Sequence, residues 1–251
     1  MKSTLETCRE KMRVLVEQHG LTDADLSVRV KPLTPEEAIG VPGRRDYPIL
    51  EGKERVIEAT VRGARGQAFT DSPSDFEGTF RDVLDLPLDM NRHRAIFIAA
   101  MNAALAHLGM VKGTVHCRDD APETCGFDMA MSARMLDAQT IGLVGYNPAI
   151  AEALVREYGT EAVRITDLNP QNIGAEKFGI TIWDGRTRTG ELVKRCDLIL
   201  VTGTTLVNGT FDEILQWALE AHKRLVVFGI TGAGVCHLID LDRWCSQAQS
   251  G

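Results

Sequence analysis

Histidine, cysteine and carboxylate side chains are concentrated in one short segment, residues 116–125, which reads HCRDDAPETC. Imidazole nitrogen and thiolate sulfur are ligands that zinc, cobalt or nickel accept, and thiolates suit the softer metals. His116, Cys117 and Cys125 are therefore candidate metal ligands, and Glu123 is a candidate ligand or general base. The spacing matches no standard structural metal site. A second interpretation also fits, in which the thiols are buried packing groups and an aspartate caps the helix that follows.

A glycine turn that leads into a helix is the second candidate site, at GLVGYNPA in residues 142–149. Backbone amides at the start of a helix attract anions because they carry a positive partial charge. Asp167 ends the next strand, where a Rossmann fold places an acidic residue that binds a ribose hydroxyl. The GxGxxG fingerprint is absent, and Tyr146 and Pro148 stand where small residues are needed. Nucleotide binding stays an alternative to a turn in which Gly145 only redirects the chain.

Hydroxyl and amide side chains follow the apolar strand in CDLILVTGTTLVNG, residues 196–209. They are Thr202, Thr204 and Asn208, and Thr231 occupies the corresponding position after the last strand. In open α/β sheets ligands bind at the carboxyl ends of the strands, so these groups are candidates to bind a carboxylate or phosphate. They could equally satisfy backbone groups in tight turns, and both interpretations stay open.

The segment that positions these side chains alternates strand and helix patterns. Apolar runs predict strands at 113–116, 140–144, 162–166, 180–183, 198–201 and 225–228, and apolar periodicity predicts helices at 91–108, 122–136 and 148–158. This alternation implies a mostly parallel sheet with helices on both faces. Residues 89–251 are therefore predicted to form a Rossmann-like α/β domain.

Residues 1–88 show a different pattern, with a helix predicted at 5–18 and alternating strands at 26–30 and 55–61. Gly63 and Gly66 turn the second of these strands into 67–70, which predicts a hairpin. A loop rich in proline occupies 31–47, and 71–86 is predicted to be a capped helix or an irregular turn. Together these elements predict a small α+β domain that precedes the Rossmann-like one.

The composition limits the class of protein. The 251-residue chain is 44% hydrophobic and 25% charged, as in ordinary globular proteins. Its formal net charge of -7 argues against nucleic-acid binding, and no stretch is long and apolar enough to span a membrane. The N-terminus lacks the apolar core of a signal peptide, so the cytoplasm is the expected location. The six cysteines form no CxxC pair and are expected to be reduced, with Cys236 and Cys245 as packing residues.

A set of motifs gives the second region a family resemblance. NRHRAIFIAAMNAALAHLG, GTVHCRDDAPETCG, GLVGYNPAI, ITDLNPQNIG, CDLILVTGTTLVNGTFDEIL and VVFGITGAG occur in this order over residues 91–234. Together they resemble the putative heavy-metal chelation family, a poorly characterised prokaryotic group. The resemblance is looser in the first region, where ERVIEATVRGARGQAFT is the best match. It implies an enolase N-terminal-like α+β domain joined to a Rossmann-like domain, with a site between them.

The resemblance also implies which residues form that site. The implied metal ligands are His116, Cys117 and Cys125, with Glu123 as ligand or base. The other implied site residues are Asn91, Tyr146, Asp167, Asn169, Thr202, Gly203, Thr204, Asn208 and Thr231. The implied cofactor is a metal ion of unspecified identity, in a family associated with anaerobic cobalamin synthesis. The enolase-like label does not imply enolase chemistry, because the enolase barrel with its metal carboxylates and lysine base is missing.

The leading hypothesis is a two-domain protein that binds a metal ion or a metal-chelating small molecule in the cleft between its domains. One alternative is an enzyme that depends on a nucleotide or on S-adenosylmethionine and uses Gly145 and Asp167. Another is a metal carrier or sensor without catalysis. Whether the protein is an enzyme is left open. The expected partner is a small molecule or metal ion, with neither nucleic acid nor membrane, and a homodimer is left open.

Overall fold

The structure, a computed structural model, describes residues 2–20, 27–51 and 54–251. Helix α1, Thr4–Gln18, begins after Ser3, whose side chain accepts a hydrogen bond from the backbone amide of Glu6 at 3.2 Å. The apolar stripe of α1 is buried, as the sequence predicts. Leu26, the first residue of the predicted strand at 26–30, lies outside the described residues.

An antiparallel sheet follows, with its strands in the order β3-β2-β1-β4. The elements of this region are β1 Ser27–Leu33, α2 Pro35–Ile39, α3 Pro48–Glu51, β2 Arg55–Val61, β3 Ala64–Thr70, β4 Phe76–Thr79 and α4 Phe80–Asp85. The predicted hairpin is present, because β2 and β3 pair from Val61 and Ala64 outward through a turn at Arg62 and Gly63. Strand β4 is not among the predicted elements, since 71–86 was expected to hold only a helix or turn.

A six-stranded sheet, parallel throughout, forms the rest of the molecule, in the order β12-β11-β10-β5-β6-β9. The first half comprises α5 Asn91–His107, α6 Ala121–Met135, β5 Ile141–Val144, α7 Pro148–Tyr158, β6 Val163–Asp167, β7 Glu176–Lys177, β8 Ile180–Thr181 and β9 Trp183–Asp184. The second half comprises α8 Gly185–Arg195, β10 Leu198–Thr202, α9 Thr204–Asn208, α10 Phe211–Glu220, β11 Arg224–Phe228, α11 Ala233–Ile239 and β12 Arg243–Trp244. Strands β7 and β8 form a separate antiparallel pair.

Helices cover both faces of the parallel sheet because its central strand is apolar on both sides. Ile199 and Val201 of β10 lie in one hydrophobic core with α8 and α10, whereas Leu198 and Leu200 lie in a second core with α6 and α7. Side chains alternate between the faces of a strand, so a continuous apolar run fills both cores. The predicted fold class, a Rossmann-like parallel sheet preceded by a smaller α+β region, is confirmed.

Two of the predicted strands are wrong in detail. Residues 113–116 are not a strand of the sheet, because Val115 makes only an isolated bridge to Gln249. The amide of His116 bonds instead to the Gln67 side chain, at 2.8 Å. The run at 180–183 divides into β8 and β9, which belong to different sheets.

Helix α5 connects the two sheets. It is buried continuously from Ala95 to Leu105, and it packs closely on β3, where a Cβ on Gly66 would lie 2.2 Å from the amide nitrogen of Ala103. One hydrophobic core contains both Ile57 of the antiparallel sheet and residues of β10. The division into domains at residues 1–88 and 89–251 stays a prediction. Within the described ranges, no helix combines the length and apolar character needed to cross a bilayer.

Candidate functional site

The carboxyl ends of β5 and β10 define the first part of the candidate site. These neighbouring strands form the point where the strand order reverses, because β6 lies beyond β5 and β11 lies beyond β10. In open α/β sheets this reversal opens a crevice in which ligands bind. Gly145 follows β5 with a φ of 90°, and a Cβ there would lie 2.4 Å from Cγ2 of Thr202 at the end of β10. The two turns that sequence reasoning selected are therefore in contact.

Asp167, at the end of β6, closes the glycine turn from the other side. Its carboxylate accepts hydrogen bonds from the backbone amides of Tyr146 and Asn169, each at 2.6 Å. Burial nevertheless raises the pKa of Asp167, and these amide bonds only partly oppose the rise. A side-chain carboxylate thus takes the backbone amide that a phosphate would use in a nucleotide site.

Glu54 is a site residue that sequence reasoning missed. Burial raises the pKa of its carboxyl group from 4.5 to about 7, with smaller contributions from the negative charges of Asp167 and Asp71. Asn91, a predicted contact, donates from its side-chain amide to both carboxylate oxygens of Asp71, at 2.9 and 3.1 Å. Carboxyl groups from both regions thus lie near enough to influence one another electrostatically. Glu54 gives no signal in the sequence, because the charged run EGKER reads as a solvated loop.

A small polar cavity of about 90 Å³ lies beside Tyr146 and Asn169, whose amides bond to Asp167. It lies between the first region and the carboxyl edge of the parallel sheet, and it is lined by Asp46, Pro48, Tyr146, Asn169, Gln171, Asn172 and Lys177. Two of the predicted contacts, Tyr146 and Asn169, therefore face residues of the first region across a cavity. Its volume suits an ion or a ligand fragment of a few atoms.

The hydroxyl and amide groups after β10 and β11 mainly stabilise turns. The Thr204 hydroxyl donates to the Thr202 hydroxyl at 3.1 Å, and the Asn208 side chain accepts from the amide of Thr210 at 3.1 Å. The Thr231 hydroxyl accepts from the amide of Phe69 in β3, at 3.0 Å. Gly203 is required by close packing, because a Cβ there would lie 2.7 Å from the amide nitrogen of Gly232. Their roles as ligand contacts stay predictions.

Three cysteines form the second part of the candidate site. Cys125 lies in the second turn of α6, and Cys245 follows β12. The neighbouring Cys245 thiol lowers the pKa of Cys125, and the pKa of Cys245 is raised by the same neighbour and by burial. Burial raises the pKa of Cys117 to about 12, and the nearby Cys125 contributes to the rise. Of these three thiols, Cys125 therefore ionises most readily.

The interpretation of Cys245 as a packing residue misses this contact. Cys125 and Cys245 come from distant parts of the chain, and no spacing rule connects them. Cys236, the other cysteine interpreted in that way, is buried in the hydrophobic core that contains Ile57.

The loop before α3 attaches the first region to the cysteine-bearing segment. The amide of Val41 donates to the Asp119 side chain and that of Gly43 to the Asp120 side chain, each at 2.9 Å. One of these two aspartates was expected to cap the helix that follows, which is α6. Both bind this loop instead, and Asp120 makes no side-chain capping bond. The segment with His116, Cys117 and Cys125 consequently lies where the two regions meet.

Glu123 is held by residues of the same loop. Its Oε1 atom accepts from Nε of Arg44 at 2.8 Å and from the Tyr47 hydroxyl at 2.7 Å. Arg44 also pairs with Glu152 and with Asp46. Burial and the bond to Glu123 raise the pKa of Tyr47, so its hydroxyl remains a donor. The proposed role of Glu123 as ligand or base stays a prediction.

His116 precedes Cys117 in the chain and is partly buried. Its Nδ1 atom faces the carbonyl oxygen of Cys117, and its ring packs edge-on against Phe69 at a centroid distance of 5.3 Å. Burial lowers the pKa of His116, which favours the neutral imidazole that can act as a metal ligand. In the part of the chain that the structure describes, no three His, Cys, Asp or Glu side chains are already arranged as a metal-binding group.

Comparison with known proteins supports the fold described above. The fold defines the class, a mixed α/β protein with an antiparallel region and a six-stranded parallel sheet. Residues 128–236 match the model of one family, DUF364, described as putative heavy-metal chelation, so the predicted resemblance is confirmed. No curated protein matches the chain.

Two crystal structures of DUF364 proteins with unknown function are similar to this chain. The protein from Pyrococcus horikoshii has 18% sequence identity and a TM-score of 0.54, and the match covers 92% of this chain and 80% of that one. The protein from Desulfitobacterium hafniense DCB-2 has 16% identity and a TM-score of 0.48, over 74% of this chain and 72% of that one. At 18% sequence identity, the similarity to the Pyrococcus horikoshii protein shows that the two proteins share a fold.

Proposed function

We propose that the protein binds a metal ion, or a small molecule that chelates one, where the antiparallel region meets the parallel sheet. The observation that carries the proposal is the position of Cys117 and Cys125. Both thiols lie on the segment to which the first region attaches, and the neighbouring Cys245 thiol lowers the pKa of Cys125, which favours its thiolate. Thiolates select soft metal ions, in keeping with the description of the matching family.

The charge of the neighbouring crevice supports a cation over a phosphate. The negative charges of Asp71 and Asp167 raise the pKa of Glu54 there, and negative charge repels anions and raises the local concentration of cations. The amide of Tyr146 is already bonded to Asp167. These features favour metal binding over the nucleotide- or S-adenosylmethionine-dependent alternative. The proposal concerns binding, and the link to anaerobic cobalamin metabolism stays a prediction.

Metal binding by untagged, reduced protein in anaerobic buffer tests the proposal. We expect one equivalent of a soft metal ion by mass spectrometry after dialysis, and a metal-dependent rise in melting temperature by mass action. Cys117→Ser and Cys125→Ser should weaken binding, and His116→Ala tests the predicted imidazole ligand. Cys196→Ser is the matched control, because this thiol is buried elsewhere and burial raises its pKa to about 11.

Two results would contradict the proposal. One is the absence of bound metal for every ion tried, and the other is stoichiometric metal that neither cysteine substitution affects. A rise in melting temperature with NAD or S-adenosylmethionine, and none with metal, would favour the nucleotide alternative.

A further inference from the structure

The hairpin of β7 and β8 forms one wall of the polar cavity at the candidate site. The two strands pair in antiparallel fashion, and Phe178 and Gly179 join them with φ values of 52° and 75°. Two consecutive positive φ values are typical of a tight type I′ turn, which fixes the direction of both strands. The hairpin thereby positions Lys177, which ends β7 and lines the cavity.

The opposite wall belongs to the first region, where Asp46 and Pro48 line the cavity. Arg44 of the same loop connects the two walls. Its guanidinium lies 5.8 Å from the ring centroid of Phe178, and it pairs with the Asp46 carboxylate at 3.3 Å. Arg44 therefore balances the charge of Asp46. Lys177 takes part in none of the ion pairs found among the described residues, so its ammonium charge is left for a ligand.

Carboxamide side chains from the segment after β6 line the rest of the cavity, namely those of Asn169, Gln171 and Asn172. Oδ1 of Asn169 accepts from the backbone amide of Gln171 at 3.1 Å, which leaves its side-chain NH2 group to donate to a ligand. An ammonium group and an amide NH2 group are both donors, and carboxylate oxygens are the acceptors that suit them best. A bare metal ion in the cavity would instead be repelled by Lys177.

The cavity also adjoins the segment that carries the candidate metal ligands. Tyr146 lines the cavity and lies in the same hydrophobic core as Cys125. Tyr47, which stands between two cavity residues in the chain, donates to Glu123 at 2.7 Å. The cavity and the candidate ligands thus share neighbouring residues where the two regions meet.

We propose that the site takes a metal chelate with a free carboxylate, and that this carboxylate binds in the cavity to Lys177 and Asn169. The inference rests on the proposed function, because it selects the metal-chelating small molecule over the bare ion. Such a ligand carries both charges that the site can accept, since its carboxylate suits Lys177 and its metal ion suits the thiols of Cys117 and Cys125. A cavity of about 90 Å³ has room for the carboxylate end of the chelate.

Calorimetric titration of reduced protein with nickel(II) citrate tests the inference, because citrate chelates nickel and keeps a carboxylate free to bind Lys177. Nickel(II) ethylenediamine, which has no carboxylate, and nickel(II) chloride are the comparison probes. A hydrogen bond to a charged group changes an affinity by about 10- to 100-fold, so we expect Lys177→Gln to weaken binding of the citrate complex by this factor. The affinity for nickel(II) chloride should not change. Lys177→Arg keeps the charge and should bind like wild type, and Lys194→Gln, at an exposed position of α8, is the matched control.

The outcomes separate this inference from the proposed function. Native mass spectrometry should show citrate and nickel retained together, and nickel retained without citrate would overturn the inference while leaving the proposed function intact. Equal binding of the citrate complex by wild type and folded Lys177→Gln would overturn it in the same way. Wild type that binds the ethylenediamine complex as tightly as the citrate complex would also overturn it, and this comparison needs no variant. If no metal ion binds, alone or as a chelate, both proposals are wrong. Circular dichroism of each variant shows whether it folds.

Discussion

Replacing Glu54 by glutamine should make the folded chain less sensitive to a rise in pH. Burial and the charges of Asp71 and Asp167 raise the pKa of Glu54 from 4.5 to about 7. Between these two values the folded protein keeps a proton that the unfolded chain releases. The free energy of unfolding therefore falls as pH rises through this window, and the proton-linked stabilisation is lost above about pH 7. Glutamine stays neutral, so the variant lacks this loss.

The size of the effect follows from the pKa difference. A rise from 4.5 to about 7, at 1.36 kcal/mol for each pKa unit, corresponds to about 3 kcal/mol across the whole window. Most of this change lies between about pH 5 and about pH 8, because this range covers most of the interval in which the unfolded chain has lost the proton and the folded protein still holds it. The free energy of unfolding of Glu54→Gln relative to wild type should therefore rise by about 2 to 3 kcal/mol over this range.

Urea unfolding at about pH 5 and about pH 8 measures this shift. For each protein we take the change in the free energy of unfolding between the two pH values. The change in Glu54→Gln is subtracted from the change in wild type, so that the contributions of other groups that titrate in this range cancel. Glu77→Gln is the control, since the Glu77 side chain is 72% exposed in a surface ion pair with Arg29. Equal loss of stability in wild type and Glu54→Gln would refute the raised pKa that burial and the nearby charges give Glu54.

Two further substitutions test the parts that support the site. His116→Gln should make the stability of the folded protein less sensitive to acid. Burial lowers the pKa of His116, so as pH falls through the ordinary value of 6.5 the unfolded chain takes up a proton first and wild type loses stability. Urea unfolding at about pH 7 and about pH 5 measures this loss, and an identical loss in the variant would contradict the prediction. Asn102→Ala should cost about 3 kcal/mol, because it leaves the carbonyls of Gln67 and Ile230 and the amide of Gly234 without their partner. Urea unfolding measures this loss of stability, with Gln18→Ala, at an exposed position of α1, as the control. A loss of stability no larger than that of the control would show that the Asn102 hydrogen bonds add little.

The parallel sheet was predictable because each of its main strands has a recognisable local sequence pattern. The apolar runs of β5, β10 and β11 are short, branched and bounded by glycines or hydroxyls, and each ends at the edge where the candidate side chains lie. The predicted strand at 113–116 shows the limit of this reasoning. Gly113 has a φ of 69°, and the Thr114 hydroxyl bonds to the carbonyl of Arg65 at 2.7 Å. A short apolar run does not reveal whether a neighbouring strand is available to pair with it.

The candidate site was only partly predictable, because two of its members depend on contacts between distant segments. Cys117 and Cys125 are near each other in the sequence and were selected as ligands, but Cys245 joins them only after β12 has taken its place beside β11. Glu54 resembles any charged loop residue until folding brings it near Asp167. The sequence contains both residues, but their chemistry appears only with the tertiary structure.

Asp167 supports the proposed preference for a cation at an edge of the sheet where related architectures bind phosphates. In a nucleotide site, the amides of the glycine turn and the positive end of the following helix are left for the ligand. Here the Asp167 carboxylate bonds to the amide of Tyr146, and the Asn147 side chain accepts from the amide of Ile150 at the start of α7. The chain thus bonds two of these amides with its own side chains, and the negative charges of Asp71 and Asp167 raise the pKa of the nearby Glu54. These features support the proposed preference for a cation at this edge of the sheet.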